Sequence, residues 1–199
     1  MNDDALWPHD KILHAWWAEP GRVLAGEYPG SRTPERAAEK IGLLVDAGIG
    51  AIVDLTSAGD GLTPFVRHLR AVQQQTGRDV RYLSRPIPDM RGLNHTGYDR
   101  LLEDIAAEIA DGRIVYIHCW KGIGRTGTVI GCRLVDSGLD YPATIRRIAE
   151  LRAATRKGHI GSPQSAAQHQ LLLERSRRRE GSLPSPGTSD SAIKDGRKI

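Results

Sequence analysis

Two hydrophobic rhythms alternate along this chain. Short apolar, often β-branched runs at residues 51–55, 80–87 and 114–117 read as strands, and 22–28 reads as an edge strand running into the turn Pro29-Gly30. Between them lie stretches with apolar residues every three or four positions. Thr33-Pro34 opens one such helix, with Thr as N-cap and Pro at its first position. Its apolar face is Ala37, Ile41, Leu44 and Val45, and Gly48 ends it. Thr63-Pro64 repeats the start signal for a helix to about Thr76. Residues 98–110 place Leu101, Leu102, Ile105 and Ile109 on one face.

A glycine-rich turn leads from the run at 114–117 into an apolar helix at 126–134. Asp140-Tyr141-Pro142 starts a further helix through Leu151, and Ser162-Pro163 another to about Arg178. Residues 1–20 hold Trp7, Trp16 and Trp17 with little periodicity, and these rings are expected to pack across the domain surface. From Gly181 onward Ser, Pro, Gly and Asp dominate, so 181–199 is expected to be a disordered tail behind a single domain at 1–180. Strand–helix alternation of this kind predicts an α/β fold, a central mostly parallel sheet flanked by helices. Ligands of such sheets bind beyond the carboxyl ends of the strands.

A chain of 199 residues suffices for one domain with a substantial core. It has no apolar run of about 18 residues that would span a membrane, and its first residues lack the basic and apolar regions of a signal peptide. Two cysteines, Cys119 and Cys132, make no disulfide framework, and a reducing, cytoplasmic setting is the expectation. The net charge is +4, but from Glu174 onward seven Lys/Arg stand against four Asp/Glu, so most of the excess lies in the tail. No nucleic-acid partner is therefore expected.

Chemistry concentrates at the end of the run at 114–117. Five residues separate Cys119 from Arg125, with Gly122, Gly124 and Gly127 around them. A short loop between strand and helix can turn successive N–H groups inward as an anion-binding nest, helped by the helix N-terminus. The glycines permit the tight curl. Arg125 can offer a planar fork to two phosphate oxygens. Cys119 at the bottom of an electropositive cup favours its thiolate, the nucleophile that covalent phosphate-ester hydrolysis requires.

Gly122-Ile123-Gly124-Arg125-Thr126-Gly127 is also literally a dinucleotide G-x-G-x-x-G. That fold needs another strand after the helix, and here a second helical pattern follows instead. A triphosphate P-loop is excluded because no Gly-Lys-Ser/Thr is present. A small buried core residue is the structural alternative for Cys119.

His118-Cys119-x5-Arg125-Thr126-Gly127 resembles the signature loop of cysteine-based protein tyrosine and dual-specificity phosphatases. The resemblance implies a dual-specificity-type fold and a metal-independent, cofactor-free phosphoester hydrolase acting on a phosphorylated protein or a small phosphoester. It implies that backbone amides of Trp120, Lys121, Gly122, Ile123, Gly124 and Arg125 bind the phosphoryl oxygens. His118 would help hold the thiolate, and Thr126 would place a hydroxyl near the sulfur. Gln168 would position the attacking water, where a solvated helix glutamine is the alternative. The general acid would be Asp89 in Pro88-Asp89, thirty positions before Cys119, with Asp54 and Asp60 as alternatives.

Two features bear on substrate. The family's lipid phosphatases carry loop lysines at the positions held here by Trp120 and Ile123, and Ile123 matches the protein phosphatases. Lys121 nonetheless adds positive charge. A phosphate-binding module without turnover and a rhodanese-like sulfurtransferase are the competing classes. Cys132 is expected in the core, with a protective disulfide to Cys119 as its alternative.

Overall fold

The central strand of the sheet is the one that delivers the cysteine loop. A computed structural model describes residues 6–88 and 93–182. Strand β5 (Ile114–His118) lies in the middle of the order β1-β2-β5-β3-β4, where β1 is Ala15–Glu19, β2 Val23–Gly26, β3 Ile49–Asp54 and β4 Arg81–Ser84. All neighbours pair in parallel except β1 with β2. The fold is thus the expected α/β arrangement, with one antiparallel edge.

Alternation along β5 builds two cores. Val115 and Ile117 face α3 (His95–Ala110), α4 (Gly124–Asp136), α5 (Tyr141–Arg152) and α6 (Ala166–Ser182), packing with Leu101, Ile105, Val129, Ile148 and Leu172. Tyr116 faces α1 (Pro34–Asp46) and α2 (Val66–Thr76), packing with Ile41, Leu44, Leu69 and Val72. A β5 side chain fully buried on either face loses water completely, which is about 1.5–3 kcal/mol for a Val or Ile. Burial on both faces explains why this strand is a continuous apolar run rather than an alternating one.

Several expectations are corrected. The tryptophan-rich N-terminal stretch contains β1, and Trp7 and Trp16 are buried rather than spread over the surface. Its pattern, Ala-Trp-Trp-Ala-Glu, does not alternate because the register shifts between Trp17 and Glu19. Consequently β2 is not an edge strand; it lies between β1 and β5. Helix α2 starts at Val66, not at Thr63-Pro64, since the Thr63 carbonyl is held by the Tyr28 hydroxyl (2.7 Å) and Phe65 is buried against the Tyr28 ring. Helix α3 starts at His95, where the Asn94 side chain accepts from the Gly97 N–H (2.9 Å). Helix α6 continues through Ser182, two residues into the segment expected to be disordered; positions 183–199 lie outside the described residues.

Candidate active site

Parallel register sets the location of the site. Gly26 and Asp54 both stand opposite His118, and Ser84 stands opposite Asp54, so β2, β5, β3 and β4 end at one level. The loops that leave these ends converge, and the loop after β5 carries Cys119 one residue past the strand.

That loop is held from outside by its carbonyls. The Tyr28 N–H donates to the Trp120 carbonyl (3.0 Å), the Lys157 ammonium to the Lys121 carbonyl (3.0 Å), and the Ser162 hydroxyl to the Ile123 carbonyl (2.8 Å). Among the described residues, none of the backbone N–H groups from Trp120 to Gly124 donates a hydrogen bond within the protein. Five successive amides without an internal partner, followed by the N-terminus of α4, make a concave anion-binding surface. Gly122 makes the curl possible. Its φ is +72°, and a Cβ there would stand 2.5 Å from the Gly26 carbonyl carbon.

Cys119 is only 3% exposed, yet it lines a cavity of about 360 Å³ together with Trp120, Lys121, Gly124, Arg125, Gln164 and Gln168. Both sulfurs belong to one apolar cluster, but Cys119 also lines this cavity. Cys132 is fully buried, burial pushes its thiol up to about 12, and both cysteines are free thiols. Cys132 therefore packs in the core.

Arg125 is where the expectation changes most. The residue lines the cavity, but its terminal nitrogens grip a carboxylate of the chain itself: Nη1 to Asp60 Oδ2 (2.8 Å) and Nη2 to Asp60 Oδ1 (2.9 Å). Nη1 also donates to the carbonyls of Ile87 (3.2 Å) and Leu55 (3.4 Å). Asp60 closes a one-turn 3-10 helix, Ala58–Asp60, and its Oδ2 also accepts the Ser57 N–H (2.7 Å). Burial alone would raise its carboxyl, but Arg125 and Ser57 outweigh that and hold it below the usual carboxylate range. Asp60 is thus engaged as the partner of Arg125, and it does not line the Cys119 cavity.

Asp54 is removed by position. It does not line the Cys119 cavity; its Oδ1 accepts the Thr56 N–H (2.8 Å) and hydroxyl (2.6 Å), and its Oδ2 the Tyr82 hydroxyl (2.8 Å), beside a separate pocket of about 200 Å³. Asp89 lies outside the described residues. The chain leading to it is nevertheless fixed beside the cup, since the Ile87 N–H donates to the Leu55 carbonyl (3.1 Å) and the Ile87 carbonyl accepts from Arg125.

His118 is wholly buried among the rings of Tyr28, Phe65 and Tyr116. Its Nδ1 is 3.8 Å from Asp54 Oδ1, and neither ring nitrogen has a hydrogen-bond partner among the described residues. Burial lowers its pKa, with Arg125 adding to the effect and Asp54 and the Cys119 backbone opposing it, so the ring is neutral at neutral pH. Thr126 is fully buried and its hydroxyl donates to the Gly26 carbonyl (3.4 Å). Trp120 is 48% exposed at the rim, with the Lys121 ammonium 5.3 Å from its ring centroid.

Gln168 is buried on α6, not solvated. Its Oε1 accepts the N–H groups of Gln164 (3.0 Å) and Ser165 (3.1 Å), which fixes the side chain against the cup at Gly124. Three contributors were not foreseen from sequence: Gln164 on the cavity wall, Ser162 beneath the loop, and Glu27, whose carboxylate holds Lys157 (2.7 Å). The Ser57-x-x-Asp60 spacing, a capping box, was a readable signal for the turn that presents Asp60.

Known proteins share this fold. Residues 14–180 match the family model described as Swiss Army Knife protein, DSP-PTPase phosphatase domain. The fold resembles the crystal structure of Tk-PTP in its active form, with 24% identity, a TM-score of 0.66, and 87% of this chain and 99% of that one covered. It also resembles kinase associated phosphatase with its catalytic-site cysteine replaced by serine (18% identity, TM-score 0.64, 86% and 98% covered). A third similar fold is PTPMT1 in complex with PI(5)P (17%, 0.58, 81% and 94%). The mostly parallel sheet and the cysteine beside a row of amides without internal partners are thus found in a chain that matches a phosphatase-domain family. This chain belongs to the Swiss Army Knife branch of the DSP-PTPase family.

Proposed function

We propose that the protein is a metal-independent phosphomonoester hydrolase working through a cysteinyl-phosphate, with tyrosine- or dual-specificity-phosphorylated protein as its substrate. The observation that carries this reading is Cys119 on the wall of a cavity whose other walls offer uncommitted amides and Arg125. A phosphoryl group seated in the cup places its phosphorus above the sulfur and its oxygens on the amides. The Cys119 thiolate forms the S–P bond as the P–O bond to the leaving group breaks, and Asp89 passes its proton to the departing oxygen. Water then attacks phosphorus, giving its proton to Asp89, and the S–P bond breaks to return the thiolate and release phosphate. Gln168 is suited to hold that water because its carbonyl is pinned by two backbone amides. Thr126 is assigned the hydroxyl that eases the departure of sulfur.

Two features support a protein substrate over a phosphoinositide: Trp120 and Ile123 occupy the loop positions that lysines hold in lipid phosphatases, and the exposed Trp120 gives the rim an aromatic contact surface. PTPMT1, solved with PI(5)P, keeps the lipid alternative in view for the assay. A cytoplasmic, reducing setting accompanies a working thiolate.

Purified protein should release phosphate from para-nitrophenyl phosphate in the presence of a chelator, and Cys119→Ser should abolish release. Turnover retained by that variant would overturn the assignment. Phosphopeptide binding by the wild type without phosphate release would instead identify a binding module.

A further inference from the structure

Next to the cup lies a second and larger cleft, about 440 Å³, that the proposed chemistry does not use. Its walls include Glu27, Arg32, Lys40 and Asp60, and Trp120 lies on its boundary with the Cys119 cavity, lining both. The wall itself carries Arg32 and Lys40 against Glu27 and Asp60, but the charge balance around the cleft is lopsided. Glu27 Oε1 accepts from Lys40 (3.4 Å) and Arg156 (2.8 Å) and its Oε2 from Lys157 (2.7 Å), so three cations surround one carboxylate. Asp60, the other carboxylate here, is already neutralised by Arg125. Lys40 is largely buried, its side chain 14% exposed, and Arg32 makes no ion pair among the described residues.

Burial lowers the pKa of Lys40; Glu27 opposes this, and the positive charges of Arg36 and Arg156 add a smaller lowering. An anion entering the cleft would give Lys40 a further counter-charge and meet a guanidinium fork from Arg32.

We propose that this cleft is a second anion subsite, which takes a further phosphate of a substrate whose reacting phosphate sits over Cys119. The proposal rests on the phosphatase reading above and narrows it to substrates with two phosphates. Arg32 and Lys40 hold the second phosphate, and Trp120, between the two cavities, packs against the part of the substrate that joins the two groups. The shared chemistry is a doubly phosphorylated compound, whether a peptide with neighbouring phosphoresidues or a small bisphosphate.

The test compares matched pairs in the full chain: phenyl phosphate against hydroquinone bisphosphate, and a phosphotyrosine peptide against the same peptide with an adjacent phosphothreonine. The expected result is a kcat/KM at least tenfold higher for the doubly phosphorylated member of one pair, carried by KM, and the pair that responds identifies the source. Arg32→Glu should collapse that ratio toward one; as an exposed residue without an ion pair it puts folding at little risk. Equal kcat/KM within both pairs, or a ratio untouched by Arg32→Glu, overturns the subsite. Calorimetric binding of phenyl phosphate and hydroquinone bisphosphate to Cys119→Ser separates the two readings. Tenfold tighter bisphosphate binding that Arg32→Glu removes sustains the subsite even if the wild type turns nothing over. Equal binding of the two probes refutes the subsite while leaving phosphatase activity standing.

Discussion

Asp60 and Arg125, 65 residues apart, form a two-pronged ion pair in which each side chain is 3% exposed. The pair links the loop after β3 to the first turn of α4, so the guanidinium is held in a fixed orientation. A fork held in place before phosphate arrives has less freedom to lose on binding, which is the advantage of a pre-positioned group. Asp60 is expected to act through Arg125, as a positioning residue.

Asp60→Asn keeps the shape and removes the charge. It is expected to cost about 3 kcal/mol of stability, because a buried guanidinium loses its counter-charge. It should also raise KM for para-nitrophenyl phosphate about tenfold or more while the acid-dependent limb of the kcat profile stays where it was. A shifted limb would mean that Asp60 carries a proton after all. Denaturant unfolding and a pH–rate series on the one variant decide both points.

Most elements and the cysteine loop were legible in the sequence for the same reason: their determinants are local. Thr33-Pro34 and Gly48 bracket α1 correctly, and its four anticipated apolar positions are all buried. Cys119 lies in the loop and Arg125 in the first turn of the helix that follows it, so spacing alone brought them together. Strand β1 was hidden because its register shift destroys alternation. The Asp60–Arg125 pair and the Glu27–Lys157 contact, the latter spanning 130 positions, depend on strand order, which no local pattern encodes. The order β2-β5-β3 alone decides which loops meet around the cysteine.

Asp89 is separated from its alternatives by leaving-group dependence. Asp89→Ala is expected to lower kcat about 10²–10⁴-fold for leaving groups of high pKa, and much less for para-nitrophenol, which departs without help. Asp54→Asn should show no such slope, since its carboxylate is occupied by Thr56 and Tyr82 away from the cup. Rates across a series of substituted phenyl phosphates measure this directly.

Gly122→Ala should damage loop and fold together. The φ of +72° disfavours any side chain, and the new Cβ would meet backbone atoms of Gly26 and Glu27 at 2.5–2.6 Å. A loss greater than about 1 kcal/mol is expected, since neither neighbour is a flexible side chain that can move aside. Activity should fall below detection at temperatures where circular dichroism still reports a folded domain. Normal turnover would show that the curl of the loop tolerates reshaping.

Stability should decline on acidification before any carboxylate titrates. His118 and His14 both have folded-state pKa values below the ordinary 6.5, in each case chiefly through burial. Between the folded and unfolded values the unfolded chain binds more protons, so acid favours unfolding. Their contribution is complete above about pH 6.5 and is lost as pH falls through the depressed values. Denaturant midpoints at pH 7.5 and pH 5.5 should differ for wild type, and less for His118→Gln, which cannot take up the proton. Equal slopes would place the linkage elsewhere.

The clamp beneath the loop gives the last expectation. Glu27 holds Lys157, and Lys157 in turn donates to the Lys121 carbonyl, so a carboxylate after β2 fixes one peptide plane of the cup. Its own pKa is lowered: burial would raise it, but Lys157 and Lys40 together prevail. Glu27→Gln weakens three ion pairs without removing any atom of the cup. A freed Lys157 no longer pins the carbonyl, the amide on its other side loses its direction, and one phosphoryl contact weakens. Loss of one such oxyanion donor costs about 10²–10³ in rate where the donor is removed outright, so a loosened one should cost roughly tenfold. Lys157→Met should match it, and the double variant should be no worse than either alone, because both act on the same carbonyl. Additive losses in kcat/KM would show that Glu27 and Lys157 reach the reaction by separate routes.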